Sequence, residues 1–214
     1  MKNSAANLNL LFKGGDAAEL TIGLDPSADP KRTAARAGDL RILFSIVKGR
    51  SVAMLYRPVD PSAPVDKHAT FTSPVGQTTM DRVELIEGAK VASQTKEYKD
   101  GPAWFIEASV PWKALGVTTP PAAGTKIRGD FGYLQSDGNG VQTASRKYWS
   151  GKSQTVICDI PSEARLAPAL WGDFEFTKAD KTVKFSSSAT LDVDPANVLK
   201  SSAGEEELNQ MLGE

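Results

Sequence analysis

Hydrophobic and polar positions alternate with a period of two through most of this chain. Leu20, Ile22 and Leu24 alternate with Glu19, Thr21 and Gly23, and the same rhythm recurs at Trp104, Ile106, Ala108 and Val110 against Phe105, Glu107 and Ser109. Alternation of this kind predicts half-buried strands. Leu40 to Val47, Ser51 to Arg57, Ala69 to Thr72, Asp81 to Ile86, Lys90 to Thr95, Ile127 to Leu134 and Trp171 to Phe176 read as further strands, and Thr155 to Asp159 as another. Turn chemistry separates them: Lys13-Gly14-Gly15-Asp16, Lys48-Gly49-Arg50, Glu87-Gly88, Lys99-Asp100-Gly101 and Asp137-Gly138-Asn139-Gly140. Pro111 ends one strand because it has no N–H for a ladder. Trp112 to Leu115 then suits one helical turn, which Gly116 stops.

These elements predict an all-β fold, an antiparallel β-sandwich in which Trp104, Ile106, Val110, Phe131, Tyr133 and Phe174 supply much of one core layer. Residues 1–177 form the sandwich. Residues 178–214, with their serine runs and the acidic stretch before Leu208, read as a linker-like extension with one short strand at Val183 to Phe185 and a short terminal helix.

A length of 214 residues suits one β domain, and a net charge of −1 leaves no electrostatic footprint for nucleic acid. The single cysteine, Cys158, excludes an internal disulfide and any cysteine-based zinc cluster. No apolar run reaches membrane-spanning length, so no membrane insertion is expected, and nothing in the pattern asks for more than a monomer. The apolar positions at Leu8, Leu10, Leu11 and Phe12 are too few and too interrupted for a secretion signal.

Glu107-Ala108-Ser109-Val110-Pro111-Trp112 followed by Leu115-Gly116, then Arg146-x-Tyr148-Trp149-Ser150 and Pro168-x-x-Trp171-Gly172, occur in an order that resembles family 9 carbohydrate-binding modules and the wider DOMON-like β-sandwich group. The likeness covers about residues 7–177. It implies a jelly-roll-like sandwich that binds polysaccharide or oligosaccharide without catalysis. It also implies attachment to a larger carbohydrate-active protein and an extracellular or periplasmic place. Relatives carry further strands before Ala18, so a fragment lacking its first strands would account for their absence here, and for the missing signal. Sugar-binding members clamp the ligand between two tryptophans. The matching positions fall near Phe12 and within residues 155–158, where no tryptophan stands.

Sugar binding needs aromatic faces and groups that both donate to and accept from hydroxyls. The candidates are Trp149, Tyr148, Arg146, Asn139, Gln142 and Phe12. Trp112 and Trp171 read as core pegs, while Trp149 stands open between core and platform. Asp137 to Gly140 lacks the acidic positions of a full calcium loop and reads as a tight turn. The resemblance still leaves room for a structural calcium at Asp16 and Asp130. Glu107 and Asp130 could in principle form a glycosidase pair, but Lys126 and Arg128 offer ordinary ion pairing. Two rival readings remain: an interaction domain of the same fold whose sugar site has decayed, and a haem-b domain using His68 with Met54 or Met80.

Overall fold

The computed structural model describes residues 1–73, 76–99, 101–150 and 166–178. The strand at Thr155 to Asp159, the second tryptophan position and the extension beyond Lys178 lie outside them. Eleven antiparallel strands and short 3-10 turns make up the described residues, so the expected all-β, sandwich-like fold is borne out.

The strands are β1 (Ala17–Gly23), β2 (Asp39–Val47), β3 (Arg50–Arg57), β4 (Ala69–Ser73), β5 (Gly76–Met80), β6 (Arg82–Leu85), β7 (Lys90–Tyr98), β8 (Gly101–Ser109), β9 (Lys126–Ser136), β10 (Thr143–Tyr148) and β11 (Gly172–Glu175). A seven-stranded sheet runs in the order β10-β9-β1-β2-β3-β6, with β11 also on β9. Gly129 pairs with Ile22 on one side and Gly172 on the other, so β10 and β11 lie end to end along the same edge of β9. The β2–β3 turn is tight because Lys48 and Gly49 take left-handed φ of 49° and 79°. The helical turn after Pro111 is a 3-10 turn over Trp112–Leu115, and it ends at Gly116 with φ 79°, as its sequence requires.

Both faces of this sheet carry apolar side chains, and different segments cover them. On the first face Leu43, Met54 and Tyr56 meet Leu8, Leu11 and Phe12 from the N-terminal segment, and Phe71 and Met80 from the β4–β5 hairpin. Residues 8–10 form a 3-10 turn that seats this cover, and Asn3 ties it down through its side-chain amide to the carbonyls of Leu11 and Asp16. On the second face Ile22, Leu40, Ile42 and Leu55 meet Val91 from the β7–β8 hairpin and Leu115 from the turn after it. Each such side chain, fully buried, contributes about 1.5–3 kcal/mol.

Two expectations need correction. Glu19 and Thr21, which the alternation assigns to solvent, are buried at 3% and 1% exposure because the sheet is covered on both sides. Conversely, Phe131 and Tyr133 do share a face with Trp104, Ile106, Val110 and Phe174, but the covering hairpin ends above them. They remain 53% and 37% exposed, and the other four are half-buried.

Trp171 is the core peg the sequence implies. It is 1% exposed, and Arg32 lies over its ring at 5.4 Å while clamping Asp39 through Nη2 at 2.6 Å and Nε at 3.2 Å. Trp112 is only half-buried, edge-on to Phe176, because it lines a cleft rather than a packed interior.

Candidate functional site

The polar cluster of the first face is assembled by strand register. Arg41 stands opposite Tyr56 and beside Thr21, while Glu19 and Tyr148 both stand opposite Gly132 on β9. Odd positions of β1 and β2 and even positions of β3 and β10 therefore project to one side. The Arg41 Nη2 donates to Glu19 Oε2 at 2.7 Å, and the Tyr148 hydroxyl donates to the same oxygen at 3.0 Å. Gly132 makes the geometry possible, since a Cβ there would collide with the Tyr148 ring.

The Arg41 guanidinium is fully buried and lies over Phe12 at 5.2 Å and Tyr56 at 5.5 Å. Among the described residues its Nε and Nη1 have no hydrogen-bond partner. Burial opposes its charge, but the Glu19 carboxylate holds the proton more firmly than in water. Burial, with the Glu19 charge beside them, pushes both phenols well above the ordinary tyrosine value. The Tyr56 hydroxyl is turned to the carbonyls of Asn9 and Leu8, at 3.2 and 3.4 Å.

The six residues expected to hold sugar do not converge. Phe12 is 1% exposed and belongs to the core, where it packs edge-on against Phe71 and Tyr56. Arg146 is 4% exposed and donates to the Phe12 carbonyl at 3.3 Å. Tyr148 shares their face. Trp149 is 52% exposed on the opposite face, stacked on Phe131 at 5.7 Å and 14° and against Phe174 at 5.7 Å and 35°. Its ring also lies over Gly172, where a Cβ would strike it. Adjacent positions on an extended chain point to opposite sides, so Tyr148 and Trp149 cannot serve one ligand.

Asn139 and Gln142 are exposed at the β9–β10 turn. There the Asp137 carboxylate accepts N–H groups from Asn139, Gly140 and Val141 at 3.0–3.2 Å, the tight turn expected. Sequence reasoning missed Glu19, Arg41 and Tyr56. The available signal was Arg41 inside the apolar run Leu40 to Val47, a charge that a doubly covered strand must neutralise.

The other candidate chemistry disperses. Asp16 accepts the backbone N–H groups of Lys2 and Ser136, and Asp130 accepts both the N–H and the hydroxyl of Ser150. Among the described residues no three His, Cys, Asp or Glu side chains gather as metal ligands. Glu107 is exposed on β8 while Asp130 is buried in the main sheet, so they flank no common site. Haem does not fit the residues present. Met54 and Met80 are fully buried in the first-face core, and His68 faces Asp81 at 3.8 Å. A cleft of about 560 Å³ lies on the second face, lined by Leu20, Ile22, Ile42, Phe44, Trp112, Phe174 and neighbours, with no His or Met among them.

Among the described residues no helix is long and apolar enough to cross a membrane. Comparison with family models, with curated proteins and with solved structures gave no match.

Proposed function

We propose that this domain is a non-catalytic carbohydrate-binding module, and that the sugar meets the open aromatic surface of Phe131 and Trp149 on the second face. The observation that carries the reading is this ring pair: Phe131 and Trp149 are 53% and 52% exposed and lie at 14° to each other, with 5.7 Å between centroids. Exposed aromatic faces suit the C–H surfaces of a pyranose ring. The ordered likeness of residues 7–177 to carbohydrate-binding modules supports the same ligand class and a place outside the cytoplasm. Glu19, Arg41 and Tyr56 fall outside this site, since Phe12 and Phe71 seal them from solvent.

Titration with soluble oligosaccharides of cellulose, xylan and laminarin types tests the proposal by calorimetry. Binding is expected between about tens of micromolar and millimolar Kd, with little salt dependence because neutral sugars release no counterions. Trp149→Ala removes half of the aromatic surface and should weaken binding roughly tenfold, while Tyr148→Phe, on the other face, leaves it unchanged. No binding by the unmodified chain, or full binding by Trp149→Ala, would refute this placement.

A further inference from the structure

The β9–β10 turn holds the one Asn-Gly step of the chain, Asn139-Gly140. Such a step is the most reactive setting for an asparagine side chain. Glycine has no Cβ to shield its own nitrogen, so that nitrogen can reach the carboxamide carbon of the residue before it. Asn139 offers this carbon from an exposed side chain. The electrophile is open, and the state of the Gly140 nitrogen decides the rate.

The fold holds that nitrogen in two ways. The Asp137 carboxylate curls back over the turn, and its Oδ1 accepts the N–H groups of Asn139, Gly140 and Val141 at 3.1, 3.0 and 3.2 Å. Desolvation opposes its charge, but the backbone donors of Val141, Asn139, Gly140 and Gln142 outweigh it and hold the carboxyl below the usual range. Asp137 is therefore ionised at neutral pH, a firm acceptor and a poor base, and it keeps the Gly140 proton in place. The second hold is packing. Gly140 is buried with φ 77°, and a Cβ there would strike Lys2. Lys2 is itself fixed: its backbone N–H donates to Asp16 at 2.7 Å and its ammonium to the Gly138 carbonyl at 3.3 Å. The Gly140 peptide plane cannot swing toward Asn139 Cγ without breaking these contacts.

We propose that Asn139 is a deamidation site, which the folded turn keeps closed through Asp137. In the reaction the Gly140 nitrogen attacks Asn139 Cγ and forms the new C–N bond of a cyclic imide. The Cγ–Nδ2 bond breaks, and Nδ2 leaves as ammonia with the proton that Gly140 gives up. Water then opens the imide at either carbonyl, which leaves aspartate or isoaspartate at position 139. No oxidant or bound ligand takes part, so the site stands or fails separately from sugar binding. The isoaspartyl form has an extra carbon in its main chain. Asp137 Oδ1 could then no longer span the N–H groups of the turn, and Gly140 would be pushed off Lys2. Lys2 adjoins Asn3, whose amide ties the N-terminal cover to the carbonyls of Leu11 and Asp16, so the modification would loosen the seal of the first face.

The test ages the whole chain at mildly alkaline pH and follows the fragment holding Asn139 by peptide mapping and mass spectrometry. Held unfolded in guanidinium chloride, the chain should gain aspartate and isoaspartate at position 139 roughly tenfold faster than the folded chain, or more, because protection lasts only while the turn is closed. Folded Asp137→Ala should react several-fold faster than the folded unmodified chain. Asp137→Ser keeps a neutral acceptor oxygen and should fall between the two; it carries the test if the alanine variant does not fold. Equal rates in the folded and unfolded chains overturn the proposal, by showing that the turn protects nothing. A folded Asp137 variant that reacts no faster than the unmodified chain overturns it too, by showing that packing on Lys2 protects Asn139 without the carboxylate.

Discussion

The first face of the main sheet holds its charges inside and shows almost nothing to solvent, whereas the second, among the described residues, buries no charge fully and leaves aromatic rings in the open. On the first, the N-terminal segment and β4–β5 seal Glu19, Arg41 and Tyr56 under Phe12 and Phe71. On the second, a two-stranded hairpin covers the β2–β3 side and leaves Phe131 and Trp149 half bare. Apolar content alone therefore does not decide which surface becomes interior. The reach of the covering segment does.

Alkaline pH should break the closed face most completely. The folded chain holds Tyr56 and Tyr148 in their neutral form, with both phenols raised by burial and by Glu19. The unfolded chain ionises them near the ordinary tyrosine value of about 10. Their contribution is thus fully present below pH about 10 and is lost as pH climbs toward the raised folded values. Unfolding free energy measured against pH should be flat through neutrality and fall steeply above that point. A flat profile into strong alkali would mean that neither phenol is sealed.

Glu19→Ala comes next. It leaves the Arg41 charge buried without its carboxylate, a loss of about 3–5 kcal/mol in denaturant unfolding. Trp171→Ala should cost a similar amount, roughly 3–5 kcal/mol, through the cavity it leaves beneath Arg32. Trp112→Ala should cost less, about 1–2 kcal/mol, since half of its ring already faces the cleft. Equal losses at the two tryptophans would show that the cleft is closed. The smallest effect belongs to the open face: Trp149→Ala removes the stacked contact with Phe131 and should cost about 0.5–1.5 kcal/mol. A loss as large as that at Trp171 would place Trp149 in the core.

Period-two alternation carried the strands, the turn chemistry at Lys48-Gly49 and Gly116 carried their ends, and both are visible residue by residue. The β4–β5 hairpin was only half legible, because Gly76 to Met80 is polar and lacks an apolar rhythm. Burial was less legible still. Alternation says that Glu19 and Leu20 face opposite ways, but a strand with two covered faces has no solvent side to assign. Arg41 among leucines and isoleucines was the one local sign of that. The expected sugar site failed to converge for a related reason. Arg146, Tyr148 and Trp149 are close in sequence, and on a strand closeness by one residue means opposite faces.

The central position of β1 also sets the order in which the chain becomes a protein. β1 to β3 form a local meander, but the other edge of β1 waits for β9, and the Thr21 hydroxyl reaches the Asp130 carbonyl across 109 residues of sequence. At about 5–20 residues per second of synthesis, that edge stays unpaired for roughly 5–20 s after β1 is made. Loop closure over such a span is slow, and a bare strand edge is a template for other chains. The nascent domain is therefore most vulnerable while its future middle is still an edge, and a holdase that binds extended chain would protect it most in that interval.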